Sequence, residues 1–323
     1  MKTWLNNLFG GSAAAQSPAE ADAANDEAGQ TAQAEAGVDA DYYRWLMWAA
    51  AYQAPAAVER RILDELAALS AKPESGAILV PRVPELIPRL LGSLANDEAS
   101  IQDLAREVAQ DVVLVSEVLR EANSAYYSPS TTVKSIDAAI MMLGQNGLRM
   151  LLARIAFRPV IKLQAETFAK RVAPQVWDHS VKCALAASLI APGLRAPMFE
   201  SYLAGLMQNF GLMVAFRLCD RFCEAGRVPA SPEFGVALLA ASRQLSAAIA
   251  AHWDFPQAVS EAIGRAGSAD APVLGRVLLQ ADRMAKLRLL LDAGIVLEED
   301  PRATAGMDAF QRRCLGKLGK AEG

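Results

Sequence analysis

VPRVPELIPRLLGSLANDEASIQDLAREVAQDVVLVSEVLREANSAYYSPSTTVKSIDAAIMMLGQNGLRMLL, residues 80–152, reads as a chain of short helices separated by clear stop signals. Ser100 precedes Ile101, with Asp103 three residues on, a weak analogue of a capping box. After Asp111, the apolar residues Val112, Val115, Val118 and Leu119 recur at helical spacing and predict one inward face. Asn123 and Ser124 would end that helix and bond the local backbone, or else mark a polar ligand pocket. Ser135 is placed to cap the next helix, which carries Ile136, Ala139, Ile140 and Leu143 on one side and stops at Gly144. A longer apolar helix is expected from Leu148 to about Val160. Arg149, Arg154 and Arg158 are too irregularly spaced to form one phosphate-binding face, so a solvated or rim position is expected for them.

The same punctuation continues outward. Helices are predicted to begin near Pro174, Phe199, Pro232, Pro256 and Pro272, since proline suits the first helical positions. Strand alternation is missing, alanine is abundant and aromatics make up only 7% of the chain, so the fold class is all-α. Toward the amino terminus, residues 10–40 hold scarcely any large apolar side chain. Such a segment buries too little surface to offset the entropy of ordering, which predicts a disordered acidic arm over 1–40. Asp41 is the expected N-cap of an aromatic-rich extension, 41–77, carrying Tyr42, Tyr43, Trp45 and Trp48. Those four aromatics form either a face for a partner or a helix packed on the main body. Pro55 then opens a helix whose stripe is Val58, Ile62, Leu63, Leu66 and Leu69. The main domain spans 78–290, and 291–323 forms a polar, basic tail with a short helix at most.

Charge and composition exclude several functions. Residues 1–41 carry one lysine against seven acids, about −6, so the rest of the chain is near +2 within a total of −4. A body so close to neutral has no footprint for nucleic-acid phosphates. The four cysteines, Cys183, Cys219, Cys223 and Cys314, form no Cys-x-x-Cys pair and read as small buried residues of a reduced protein. No uninterrupted apolar run reaches bilayer length; the nearest, Leu203 to Phe216, is broken by Gln208 and Asn209, and stable membrane insertion is not expected. MKTWLNNLFGG fails as a signal peptide, although Trp4, Leu5, Leu8 and Phe9 line one side of a possible short hook for a membrane or a partner. Gly-x-Gly-x-x-Gly, Walker and Gly-x-Ser-x-Gly patterns are all missing.

Two blocks carry a resemblance. The first is the quoted stretch, with its proline-flanked entry at Pro81 and Pro84, the central REANSAYY at 120–127, and the serine-started helix ending at Leu143-Gly144. The second pairs VWDHSVKCALAASLIA at 176–191 with YLAGLMQNFGLMVAF at 202–216. In order and spacing they resemble the HDOD domain, the HD-related output domain of bacterial signalling proteins, over roughly residues 78–290. The resemblance implies two abutting helical bundles, the second a degenerate version of the HD phosphohydrolase bundle.

Catalytic HD relatives hold a divalent metal with a histidine, an adjacent His-Asp pair and a later aspartate, and the metal lowers the pKa of a bound water. On that resemblance His179 matches the first histidine, Gln208-Asn209 replaces the His-Asp pair, and Asp282 in QADRMAK matches the late aspartate. Amides are poor metal ligands and carry no charge, so an imidazole and a carboxylate are lost together. Composition adds to this: the chain has only two histidines, His179 and His252, too few for a histidine-rich dinuclear centre. His252 reads as a helix-end surface residue, and no metal or other cofactor is expected. The resemblance thus implies a cytoplasmic, non-catalytic regulatory module with protein partners. The groove between the two halves, or the face of Tyr42, Tyr43, Trp45 and Trp48, is the candidate contact surface. The alternative is a degenerate phosphohydrolase that still binds a nucleotide, such as a cyclic dinucleotide, near His179, Gln208, Asn209 and Asp282, without hydrolysing it.

Overall fold

Proline and glycine set the element boundaries, and apolar stripes decide what each element meets. The computed structural model describes residues 37–76, 79, 106, 108–110, 112–123, 129–161, 168–224 and 226–319. In order these form helix α1 (37–47), strand β1 (Ala51–Tyr52), α2 (Ala56–Ala71), α3 (Val112–Ala122), α4 (Ile136–Ile161) and α5 (Phe168–Ile190). There follow α6 (Met198–Met207), α7 (Phe210–Phe222), strand β2 (Val228–Pro229), α8 (Pro232–His252), α9 (Gln257–Arg265), α10 (Val273–Asp292), α11 (Pro301–Thr304) and α12 (Ala309–Leu318). The all-α expectation holds; β1 and β2 make only a two-residue parallel bridge, Ala51 to Val228 and Tyr52 to Pro229.

The first bundle packs α3 on α4, with Val118, Ala139, Ile140 and Leu148 buried between them. Asn123 closes the end of α3 as expected and reaches further: its amide donates to the carbonyls of Leu119 and Val133, while Val133 N–H donates to its Oδ1 at 2.7 Å. Ser135 Oγ accepts from Ala138 N–H, and Gly144 breaks the helical run with φ of 66°, a conformation that β-carbons resist. Residues 80–105 and 124–128, with the expected Ser100 cap and Ser124, lie outside the described set.

The second bundle is α5 to α10. The central helix α5 packs against α6, α7 and α10, and α8 packs against α2, α7 and α9. At the α7–α8 crossing, a Cβ on Gly211 would stand 2.0 Å from the Ser242 carbonyl oxygen, so only glycine permits this approach. Phe157 of α4 joins Phe210, Trp253 and Phe255 in an aromatic cluster, coupling the two bundles.

Several local expectations are corrected. Helix α1 already includes 37–40, so Asp41 lies inside it and does not cap it. Helix α5 begins at Phe168, with Pro174 inside it. Its first turn is capped from a distance: the Asp220 carboxylate accepts from Phe168 N–H at 2.9 Å and Ala169 N–H at 3.0 Å. Arg149 is buried, whereas Arg154 pairs with Glu121 near the surface. The tail is more structured than its polarity suggests, because α12 docks on α5 and α10 and buries Cys314, Leu315 and Leu318. Among the described residues α8 is long and apolar enough to span a bilayer, a segment that a search for uninterrupted apolar runs misses because Arg243 interrupts it. Half of its most apolar stretch is buried within the protein.

Candidate functional site

The four positions expected to mark the remnant of a metal site come together. His179 projects from the middle of α5, Gln208 and Asn209 form the break between α6 and α7, and Asp282 lies midway along α10. All four are buried. Ser246 on α8 fixes the break, accepting from Gly211 N–H at 2.8 Å and donating to the Gln208 carbonyl at 2.6 Å.

Asp282 is saturated with donors. Its Oδ1 lies 2.8 Å from His179 Nε2 and 3.0 Å from Gln208 Nε2. Its Oδ2 lies 2.6 Å from Lys286 Nζ and 3.2 Å from an Arg243 guanidinium nitrogen. Burial pushes its pKa up, but Lys286, then His179 and Arg243, outweigh that and hold the carboxyl well below its ordinary range. Asn209 Nδ2 stands 3.0 Å from His179 Nδ1 and donates to Ser180 Oγ at 3.1 Å. An amide N–H can only donate, so Nδ1 accepts, and Nε2 is the ring nitrogen that faces Asp282. Gln208 Nε2 also donates to Cys183 Sγ at 2.8 Å, and burial, then Asp282, push that thiol pKa well up.

These residues do not fit a divalent cation. Both carboxylate oxygens of Asp282 are already engaged, His179 Nδ1 is held by Asn209, and the Lys286 ammonium and the Arg243 guanidinium supply positive charge at the carboxylate. Among the described residues no cluster of three or more His, Cys, Asp and Glu could hold a metal ion. His252, the other histidine, ends α8 on the surface as expected.

Helix α1 closes the site. The Tyr42 ring lies 4.8 Å from the His179 ring and 5.6 Å from Lys286 Nζ, and Asp39 Oδ1 pairs with the same ammonium at 2.6 Å. Tyr43 OH donates to the Pro229 carbonyl at 2.8 Å, and Asp41 pairs with Arg302 at 2.8 Å. Of the two readings of the aromatic string, packing on the main body holds for Tyr42 and Tyr43, and the contact face narrows to the far side of the helix. Tyr42 and Tyr43 are fully packed into the body, Trp45 is half-buried, and only Trp48 projects, 81% exposed. Trp45 and Trp48 line a groove of about 460 Å³ with Phe168, Val172 and Ile295. Trp45 also borders a neighbouring hollow of about 510 Å³ with Asp178, Lys182 and Leu289.

Sequence reasoning missed Lys286, Arg243, Asp39 and Cys183. One signal was present: Asp282 and Lys286 stand four apart on one helix, a spacing that brings opposite charges together. Arg243 and Asp39 lie far off in sequence and left no such trace.

A helical architecture of this kind defines the class, and solved structures share the fold. A proposed metal-dependent phosphohydrolase from Shewanella amazonensis SB2B superposes with a TM-score of 0.54 at 20% identity, over 81% of this chain and 99% of that one. An HDOD domain protein of unknown function from Geobacter sulfurreducens gives 0.54 at 23% identity, over 78% and 92%. A proposed signal transduction protein from Marinobacter aquaeolei VT8 gives 0.52 at 23% identity, over 75% and 57%. The HDOD domain matches residues 80–268, more than half of the chain, and the protein belongs to the HDOD family. A Treponema pallidum (strain Nichols) protein is 26% identical over 137 residues, which is 42% of this chain and 26% of that protein's length.

Proposed function

We propose that this protein is a non-catalytic signalling module that works by contacting another protein. The observation that carries the reading is the state of Asp282: the carboxylate that a metal would need is bound by a lysine, an arginine, an imidazole and an amide of the same chain. An internal ammonium brings no ionisable water and no open coordination position, so the chemistry of a metal-bound hydroxide is unavailable to this site. HDOD family membership and the description of the Marinobacter relative as a signal transduction protein support the regulatory half of the reading. The contact half rests on Trp48, exposed beside an apolar groove that it lines together with Ile295, itself 42% exposed. The compartment in which the partner meets it is proposed to be the cytoplasm, in keeping with four unpaired thiols.

The test is direct. Purified full-length protein is assayed for bound Fe, Mn and Zn and for cleavage of bis(p-nitrophenyl) phosphate with each metal added. No stoichiometric metal and no hydrolysis above background are expected. Metal-dependent turnover that disappears in His179→Ala would refute the reading.

A further inference from the structure

Lys286 needs more negative charge than its own helix provides. Its side chain is 3% exposed, and it shares Asp282 with Arg243, so two cations face one carboxylate. Asp39, from α1, supplies the second negative charge at 2.6 Å. Burial disfavours the ammonium, but Asp282 and then Asp39 more than compensate and hold its pKa above the ordinary lysine value. Asp39 is also the accessible member of the group, its side chain 33% exposed, while Arg243 beside Asp282 is 20% exposed.

Asp39 and Tyr42 are three residues apart on one helix, so they arrive and leave together. With α1 displaced, Lys286 and Arg243 would face Asp282 alone, beside the amides of Gln208 and Asn209 and the ring of His179. That is a buried pocket of donors with one uncompensated positive charge, and a charge left so must deprotonate or find an anion.

We propose that the seat occupied by the Asp39 carboxylate on Lys286 is an anion-binding site, built for a carboxylate or phosphate group, with Asp39 as its resident intramolecular ligand. The site takes an external anion when α1 lifts, and the external anion in turn favours the lifted helix. This goes beyond partner contact at Trp48 and does not depend on it: the occupant is recognised by charge, and the seat lies on the inner side of α1. In the intact protein the tethered carboxylate competes at high effective concentration, so free anions bind weakly. Removing Asp39 unmasks the site.

The experiment is chemical rescue in the full-length chain. Asp39→Ala is compared with wild type and with Asp39→Ala/Lys286→Met, during thermal unfolding in sodium formate, sodium phosphate or sodium chloride at matched ionic strength. Asp39→Ala should unfold at a lower temperature than wild type. Formate should then raise its midpoint saturably, by about 5 °C at roughly 100 times its dissociation constant. Phosphate rescue as well would extend the site to phosphate groups, and formate alone would restrict it to carboxylates. Wild type and the double variant should respond no more to formate or phosphate than to chloride. If Asp39→Ala does not fold, Asp39→Ser leaves the seat nearly as empty and keeps a polar side chain. Rescue by formate and phosphate no greater than by chloride, or equal rescue without the Lys286 ammonium, would overturn the proposal.

Discussion

Two regions served by one stretch of chain invert the usual rule of protein surfaces in opposite ways. Around His179 the interior is polar and charged, with Asp282, Lys286, Gln208 and Asn209 all buried. Around Trp48 the surface is apolar, with Trp48 and Ile295 open to solvent beside the groove they line. Interiors normally exclude charge, and surfaces normally break up apolar patches. The difference lies in satisfaction. Every charge of the inner cluster meets a partner in the same chain, so it holds α1 in place and has no capacity left for a metal. The outer patch is apolar and open among the described residues, and on the proposed reading that is where another molecule is met.

Substitutions can break this contrast, beginning with the largest effect. Lys286→Met removes the ammonium from between Asp282 and Asp39 while keeping the length of the side chain. The loss of one partner from a buried ion pair should cost about 3–5 kcal/mol, measured by urea unfolding. Combined with Asp39→Ala, the cost should be clearly less than the two single costs together, because both remove the same interaction.

Acid should weaken the same cluster more gradually. The folded-state pKa of Asp282 is depressed, so its contribution to stability is complete above the unfolded value near ~3.9 and is lost as pH falls below it. Lys286 has the opposite sense: its pKa is raised, so its contribution is complete below the unfolded value near ~10.4 and is lost as pH rises beyond it. Unfolding free energies should therefore form a plateau between these limits, and the advantage of wild type over Asp282→Asn should shrink from pH 5 to pH 3.

The smallest expected effect sharpens the comparison from the outside. Trp48→Ala should change stability by no more than about 0.5 kcal/mol, since the side chain is largely exposed. A loss of several kcal/mol in the same unfolding assay would mean that Trp48 belongs to the core as Tyr42 and Tyr43 do.

How much of this was legible beforehand depends on distance along the chain. Gly144, Ser135 and the prolines at the starts of α8, α9 and α10 act within a turn or two, so their signals could be read directly. The start of α5 could not, because its cap is Asp220, about fifty residues away. Tyr42, Tyr43, Trp45 and Trp48 looked equivalent as a string of aromatics. Their separation into buried and exposed depends on which side of α1 meets α5, α8 and α10.

By itself, then, the sequence determined the all-helical class, because composition and periodicity do not depend on neighbours in space, and the order of its two blocks carried the resemblance on which Gln208-Asn209 would stand in place of a His-Asp pair. Only the tertiary structure decided what surrounds Asp282. The charges of Lys286, Arg243 and Asp39 sit on three different helices, and electrostatic pairing depends on separation in space, which the order of residues does not record.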